Sequence, residues 1–412
     1  MNLPACLFCH TPLRHTVVDL GMSPLCESFL EAGQLNEMEP FYPLNVRVCE
    51  RCLLVQLEEY VSPEEIFTEY AYFSGYSDSW VEHARSYVEY VVERFNLAPD
   101  DLVVELASND GYLLQHFVAL GHMPLGIEPA QNIAKVANEA GIPTLAEFFG
   151  RELAERLVAE RGQARLIAGN NVLAQVPDLN DFISGIKTLL APAGVATIEF
   201  PHLMRLFAEN QFDTIYHEHF FYFSFLSARE IFAAHDLELF DVEELPTHGG
   251  SLRIFATHAE ESDHTVSDRV RELLEREEAA GFRSLEAYSA FGEQVERTKR
   301  DLLGFLIDCR NKGKSVVGYG APGKGNTLLN YCGIRTDFLE FTVDRNPYKH
   351  GRFLPGTHIP IKPVEALADR RPDVVLILPW NLREELVVQL DYVRDWGGTC
   401  VVPIPRVETV LS

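Results

Sequence analysis

In "SDSWVEHARSYVEYVVERF", Trp80, Ala84, Tyr87, Val91 and Phe95 recur at helical spacing, which predicts a helix with one buried face. Ser77 or Ser79 is placed to cap it. Just ahead lie Tyr70, Tyr72, Phe73 and Tyr76; core packing accounts for most of this group, while tyrosines at the lip of such a domain are also placed to cover a ligand. The pattern then changes to short apolar runs, each followed by a turn and a helical stretch. "LVVEL" is a strand, Ser108 to Gly111 a turn, "YLLQHFVALG" a helix start and "MPLGIEP" a second strand. "ARLIAGNN" and "GVATIEFPHL" add two more strands. Such alternation predicts a doubly wound parallel sheet. Beyond about residue 244 the character changes. "HGGSLRIFATH" reads as a strand, 266–311 as helical with a break near Gly281, and "SVVGYGAPGKGNTLLNYCG" as strand, glycine-rich turn and helix. "FLEFTVDRNPYKHG" follows as a strand ending at Asp344. The expected class is α/β, with two Rossmann-like domains in series.

Composition narrows this picture. A chain of 412 residues has room for two or three cored domains, and 47% hydrophobic with 23% charged residues is ordinary for a globular protein. No apolar run is long enough to span a bilayer, and "MNLPACLFCH" lacks the basic and apolar regions of a signal peptide. The net charge of −26, from 61 acidic and 35 basic residues, disfavours nucleic acid and anionic membranes as partners. Of eight cysteines, Cys6 and Cys9, and again Cys49 and Cys52, form C-x-x-C pairs. Two such pairs predict one structural Zn²⁺ held by four thiolates, a closed site that serves folding rather than catalysis. Reduced thiols point to the cytoplasm. The domains are therefore expected at 1–76 (zinc-binding lobe), 77–243 (α/β) and 244–412 (second α/β).

The first turn, E-L-A-S-N-D-G, departs from G-x-G-x-x-G, with Ala107 and Asn109 where glycines are usual and only Gly111 kept. Close approach of backbone to a pyrophosphate wants glycine, so the turn suits S-adenosylmethionine (SAM), which has no phosphate to cradle. Glu105, Asn109 and Asp110 are then placed to orient its amino-acid part and Glu128 its ribose, while Asn170, Asn171 and Glu199–His202 lie at further strand ends. The second glycine-rich turn does carry Gly318, Gly320 and Gly323, with Asp344 about two dozen residues on, a fingerprint that also fits a dinucleotide. Lys324 and Asn326 beside that helix N-terminus suggest a diphosphate cradle.

"DTIYHEHFFYFSF" sets His217, Glu218 and His219 in an aromatic run. The spacing is not H-E-x-x-H, since Phe221 stands four after His217. In an extended segment His217 and His219 would share a side, leaving a metal pair, an acid/base site or a buried polar knot as readings.

Taken in order, C-x-x-C…C-x-x-C, E-L-A-S-N-D-G, G-I-E-P, N-N-V-L-A, Y-H-E-H, H-G-G-S-L-R and G-Y-G-A-P-G-K-G-N-T-L-L-N-Y resemble the SAM-dependent nucleotide-sugar C-methyltransferases, of the tetronitrose and mycarose 3-C-methyltransferase type. The likeness runs from Cys6 to beyond Lys349. It implies a zinc lobe ligated by Cys6, Cys9, Cys49 and Cys52, a central SAM domain using Glu105, Ala107, Asn109, Gly111, Glu128, Asn170 and Asn171, and a C-terminal domain gripping the nucleotide. It further implies His219 as general base, with Tyr216, Glu218, Tyr72, Tyr76 and Gln175 as companions. His202, His217, His248, Arg253, Tyr319, Lys324, Asn326 and Lys349 are the expected substrate-binding set. The implied substrate is a nucleotide diphosphate sugar, a dTDP- or GDP-linked 4-keto-6-deoxysugar methylated at C3. Gln175 departs from the family's histidine after N-V-L-A; it can hydrogen-bond but cannot exchange a proton. Nicotinamide-dependent oxidoreduction or epimerisation, O-methylation, and binding without catalysis are the competing functions. A monomer or weak homo-oligomer is expected.

Overall fold

The computed structural model describes residues 3–62, 73–76, 78–260 and 264–412. Two compact units emerge, neither continuous in sequence. The first comprises Met1–Leu13, Cys49–Leu203 and Phe220–Arg283; the second comprises Arg14–Val48, Met204–His219 and Ser284–Ser412.

The first unit is built on a seven-stranded sheet. Its strands are β1 (Val103–Leu106), β2 (Leu125–Ile127), β3 (Thr144–Leu145), β4 (Ala164–Asn170), β5 (Leu190–Pro201), β6 (Leu237–Leu245) and β7 (Ser251–His258), in the order β6-β7-β5-β4-β1-β2-β3. Strands β1 to β5 pair in parallel, and β7 runs antiparallel between β5 and β6. The expected boundary at 243/244 falls within β6, because the antiparallel pair β6–β7 completes this sheet. "HGGSLRIFATH" is thus a strand, as predicted, of the first sheet. Helix α1 (Asp78–Phe95) covers the sheet with the predicted stripe: Ala84, Tyr87, Val91 and Phe95 are buried against Val103, Leu166, Val195 and Phe255. Each such side chain contributes roughly 1.5–3 kcal/mol by leaving water. Ser79 lies inside α1 rather than at its cap.

The second unit carries a six-stranded sheet: β8 (Val316–Tyr319), β9 (Thr342–Val343), β10 (Ile361–Lys362), β11 (Val374–Ile377), β12 (Thr399–Val402) and β13 (Glu408–Leu411). The order is β10-β9-β8-β11-β12-β13, parallel except for β13. Around it lie α2 (Phe291–Asn311), α3 (Gly323–Cys332) and an antiparallel pair, His15–Ser23 with Tyr42–Val48. The predicted helical region breaks at Gly281, whose φ of 87° interrupts the run after Ala279. Among the described residues no helix is long and apolar enough to cross a membrane.

The two C-x-x-C pairs meet in the first unit. Cys6 Sγ lies 3.6 Å from Cys52 Sγ, and Cys9 Sγ lies 3.5 Å from Cys49 and 3.6 Å from Cys52. Thiolates at ~2.3 Å from one tetrahedral zinc stand roughly 3.8 Å apart, so the four sulfurs fit that ion. Each knuckle closes the same way: His10 and Leu53, at φ 59° and 56°, return their amides to the Cys6 and Cys49 carbonyls. Gln56 supports the site, donating from Nε2 to Cys6 Sγ at 3.2 Å while its Oε1 accepts the Leu7 amide. The purified protein should contain one zinc per chain by elemental analysis. Cys49→Ser should lower that content at least about tenfold, and chelation should expose the His10 and Leu53 amides to hydrogen exchange; full retention of zinc by Cys49→Ser would contradict a four-thiolate site.

Candidate functional site

The loop after β1 shows why its sequence is unusual. Ala107, Asn109 and Gly111 all adopt left-handed φ, 54°, 50° and 82°. The backbone therefore takes a glycine-rich path without two of the glycines. Asparagine tolerates that region, whereas alanine is strained there by roughly 1 kcal/mol. Gly111 is obligatory for a second reason: a Cβ there would stand 2.4 Å from Ile142 Cδ1.

Carboxylates hold this loop from several sides. Glu128 accepts the Asn109 amide at 3.0 Å and the Ala130 amide at 2.9 Å. Asn109 Oδ1 and Asp110 Oδ2 accept the Ser74 and Gly75 amides, fixing the turn Ser74–Tyr76 over the loop. Tyr76 is thus placed beside the site through its backbone, while Tyr72 lies outside the described residues. Glu105, at 1% exposure, is the exceptional group. Burial, and then the nearby Glu128 and Asp110, push its carboxyl well above the usual range; the Tyr112 hydroxyl opposes this weakly. Neither carboxylate oxygen completes a hydrogen bond among the described residues, nor does Ser108 Oγ. A buried acid without a donor suits a cationic ligand group such as an ammonium.

Next to the loop lies a polar cluster that extends the predicted set. Glu199 Oε2 is 3.0 Å from His83 Nε2 and accepts from Arg253 Nη2 at 3.0 Å, while its Oε1 accepts from Thr247. Burial alone would raise the Glu199 carboxyl, but His83 and Arg253 hold it at about 2. Arg253 also meets Glu243 at 3.4 Å and covers the Tyr87 ring. Its charge is matched inside the first unit, which corrects its expected role as a nucleotide-facing cation. His248 belongs to the same cluster. At φ 55° it packs edge-on to Trp80, 5.0 Å between centroids, with Asn171 Nδ2 3.3–3.4 Å from its ring nitrogens. Trp80 also stacks on His83 and Tyr112. The helical spacing marks Trp80 only as part of the buried stripe and does not point to His83; a histidine off the apolar stripe of α1 is the available signal. Asn170, the last residue of β4, is buried and reaches the Tyr112 hydroxyl at 3.4 Å.

His202 does not face a ligand. It is 1% exposed, with Nε2 2.7 Å from Glu277 Oε1, and Glu277 also accepts the Phe225 and Leu226 amides at a helix start. A buried carboxylate joining a histidine to a helix N-terminus is a structural knot.

In the second unit, "YHEH" is a turn rather than a strand, closed by the His219 amide donating to the Tyr216 carbonyl at 2.9 Å. The turn sorts the four side chains differently from alternation. His217 and Glu218, at the corner, are buried, while Tyr216 and His219, at its ends, are half-buried with ring centroids 4.2 Å apart. His217 Nε2 lies 3.1 Å from the Pro43 carbonyl, and burial depresses its pKa. It is thus a core residue, which corrects its substrate-binding expectation and removes the metal pair. The Cys26 thiol donates to Glu218 at 3.5 Å. His219 Nδ1 lies 3.1 Å from the Thr214 carbonyl, an acceptor only, so Nδ1 carries the proton and Nε2 the lone pair.

The cations of the glycine-rich turn are engaged by the protein. Lys324 Nζ donates to Asn381 Oδ1 at 2.8 Å and sits 5.1 Å over the Trp380 ring. Lys349 Nζ donates to the Ala321 carbonyl at 2.8 Å and pairs with Glu27 at 3.6 Å. Asn326 is 1% exposed, with neither side-chain polar atom partnered among the described residues. Asp344, placed where an acid would read a ribose, instead accepts the Ala321 and Asn346 amides. The lysine engagements run against the diphosphate-cradle expectation for Lys324 and Lys349, whereas the unpartnered amide of Asn326 leaves that residue open to a ligand. Tyr319 lines an open cleft of about 330 Å³ beyond the carboxyl ends of β8 and β9, with Asp344, Arg345, His350, Glu365 and Tyr392.

Three family matches tile the chain: a zinc binding domain at 6–67, a methyltransferase domain at 80–242 and a C-methyltransferase C-terminal domain at 246–405. Among solved structures, the magnesium protoporphyrin IX methyltransferase of Synechocystis PCC 6803 with bound SAM is 15% identical, covering 43% of this chain and 79% of its own at a TM-score of 0.34. The CcbJ methyltransferase of Streptomyces caelestis is 13% identical over 43% of this chain and 89% of its own, at 0.33. Likeness at that level says nothing of substrate. The C-methyltransferase NovU of Streptomyces niveus is 38% identical over 390 residues, 95% of this chain and 93% of its own. With a SAM-type methyltransferase domain, a four-cysteine zinc lobe and a relative matching it nearly end to end, the chain belongs to the C-methyltransferase family.

Proposed function

We propose that this C-methyltransferase acts on a nucleotide-linked 4-keto-6-deoxysugar, deprotonating the carbon next to the ketone, C3, and methylating the resulting enolate. The observation that carries the reading is His219, whose Nδ1 is committed to the Thr214 carbonyl and whose ring lies against Tyr216. Methylation at carbon requires a carbon nucleophile, and a sugar C–H yields one only where an adjacent ketone accepts the charge. A histidine with its lone pair on Nε2 removes that proton at neutral pH. As the C–H bond breaks, its proton passes to Nε2 and its electron pair moves to the ketone oxygen; when that pair returns, the bond from C3 to the methyl carbon would form as the methyl–sulfur bond breaks, whose electrons would stay on sulfur and leave a neutral thioether. The Tyr216 hydroxyl and Gln175 are the neutral donors for the enolate oxygen.

When bound, SAM supplies the methyl group on a sulfonium. Glu105, in β1, would meet its ammonium and Glu128, just after β2, its ribose. For the acceptor, Tyr319 and Tyr392 offer aromatic surface for a base and the exposed Arg345 a cation for the diphosphate. A dTDP carrier is the first to test.

The decisive experiment is methyl-labelled SAM with a dTDP-4-keto-6-deoxysugar, the label being located by NMR. Label on C3 is expected, and His219→Gln should lower the rate at least about a thousandfold; label on oxygen would refute the enolate route. Glu105→Gln should weaken SAM binding by about 10- to 100-fold in calorimetry. Unchanged affinity would place the ammonium elsewhere. Arg345→Ala should raise KM for the nucleotide sugar about tenfold at constant kcat, whereas a fall in kcat alone would count against a binding role.

A further inference from the structure

The glycine-rich strand, turn and helix of the second unit has the outline of a phosphate-binding device, yet its polar groups face inward. The Ala321 amide goes to Asp344 and the Gly323 amide to Glu27. A Cβ on Gly323 would lie 2.8 Å from Cys26 Sγ and 3.2 Å from Glu27 Oε1, so that glycine admits a neighbouring segment of the same protein. An intramolecular carboxylate sits where a diphosphate would approach the helix N-terminus.

The rest of α3 and the loop after β11 hold residues 210–219. Thr327 Oγ1 donates to the Ile215 carbonyl at 3.1 Å. Trp380 Nε1 donates to Asp213 Oδ2 at 2.7 Å, with Lys324 the nearby charge that opposes the effect of burial on that acid. Asp213 and Ile215 flank Thr214, the residue whose carbonyl accepts His219 Nδ1–H. Farther along, Asn210 is bonded to Thr298 and Glu218 to Cys26. The peptide that fixes the histidine tautomer is therefore clamped on both sides by side chains that do not themselves touch His219.

We infer that Thr327, Trp380 and Asp213 are positioning residues for His219, and that the glycine-rich motif serves as the scaffold of the proton-abstraction turn rather than as a dinucleotide site. The inference rests on the role proposed above for His219. Loss of either tether lets the Thr214 carbonyl rotate, so the imidazole samples both tautomers and its lone pair is misdirected.

The test uses full-length protein labelled with ¹⁵N-histidine, the His219 signals being assigned by their absence in His219→Gln. Thr327→Val, nearly isosteric, should shift the His219 ring nitrogens from the Nδ1–H pattern towards a mixture. With the dTDP-4-keto-6-deoxysugar it should lower kcat about tenfold or more while leaving KM for both substrates within about twofold. Thr327→Ser, which keeps the hydroxyl, should restore both readouts. Trp380→Phe should move them in the same direction, and it serves if Thr327→Val does not fold. A folded Thr327→Val or Trp380→Phe with unchanged tautomer would overturn the inference, as would an equal loss in Thr327→Ser. The ¹⁵N readout needs no substrate, so it decides the matter even if the wild type proves inactive on the sugar tested. Millimolar NAD⁺ and inorganic pyrophosphate should give no binding heat at this turn; heat that Gly323→Ala abolishes would also overturn the inference.

Discussion

An imidazole is a directed base only when one nitrogen is committed as a donor, and in this protein that commitment is made by the Thr214 carbonyl. Much of the second unit's polar architecture maintains it. The turn Tyr216–His219 buries its two corner side chains, and each has a partner: His217 the Pro43 carbonyl, Glu218 the Cys26 thiol. Burial at the corner forces the two end residues together, which is why Tyr216 and His219 are the accessible pair. A strand would have separated them onto opposite faces and joined the histidines instead.

The first unit meets a different constraint, the crowding of acidic groups around a left-handed loop with few glycines to ease the backbone. Left-handed Ala107 carries strain that the surrounding hydrogen bonds must hold in place. Glu128 does this directly by accepting the Asn109 amide while its other oxygen is fixed by the Ala130 amide, and the Ser74 and Gly75 amides donate to Asn109 and Asp110. Glu105 is left buried beside Glu128 and Asp110, a costly state for a carboxylate unless it is neutral or meets a cation. The loop is thus suited to an ammonium rather than a phosphate, in keeping with the family.

Local patterns exposed much of this in the sequence. The stripe of α1, the apolar strands, the C-x-x-C pairs and the non-glycine turn each depend on residues close in the chain, and each stands in the structure where the pattern placed it. The division into units was not legible, because segments 14–48 and 204–219 leave their sequence neighbours to pack in one unit with residues 284–412. Partners distant in sequence were equally hidden. Nothing near His202 announces Glu277, and nothing near Arg253 announces His83. Residue type and motif mark His202, His217 and Arg253 as ligand-facing, whereas each spends a polar atom within the fold, on Glu277, the Pro43 carbonyl and Glu199.

The glycine-rich motif shows the same limit from the other direction. Glycines at a strand–helix turn establish only that something approaches the backbone closely, not what approaches. At Gly323 the neighbour is Cys26 with Glu27, and the turn's amides already have acceptors in Glu27 and Asp344. A lysine in such a motif likewise signals negative charge or an aromatic face nearby, and Lys324 finds Asp213 and Trp380 within its own unit. What separates a scaffold from a cradle is whether the backbone donors of the turn are already accepted. That is a property of tertiary partners, and no spacing of glycines encodes it.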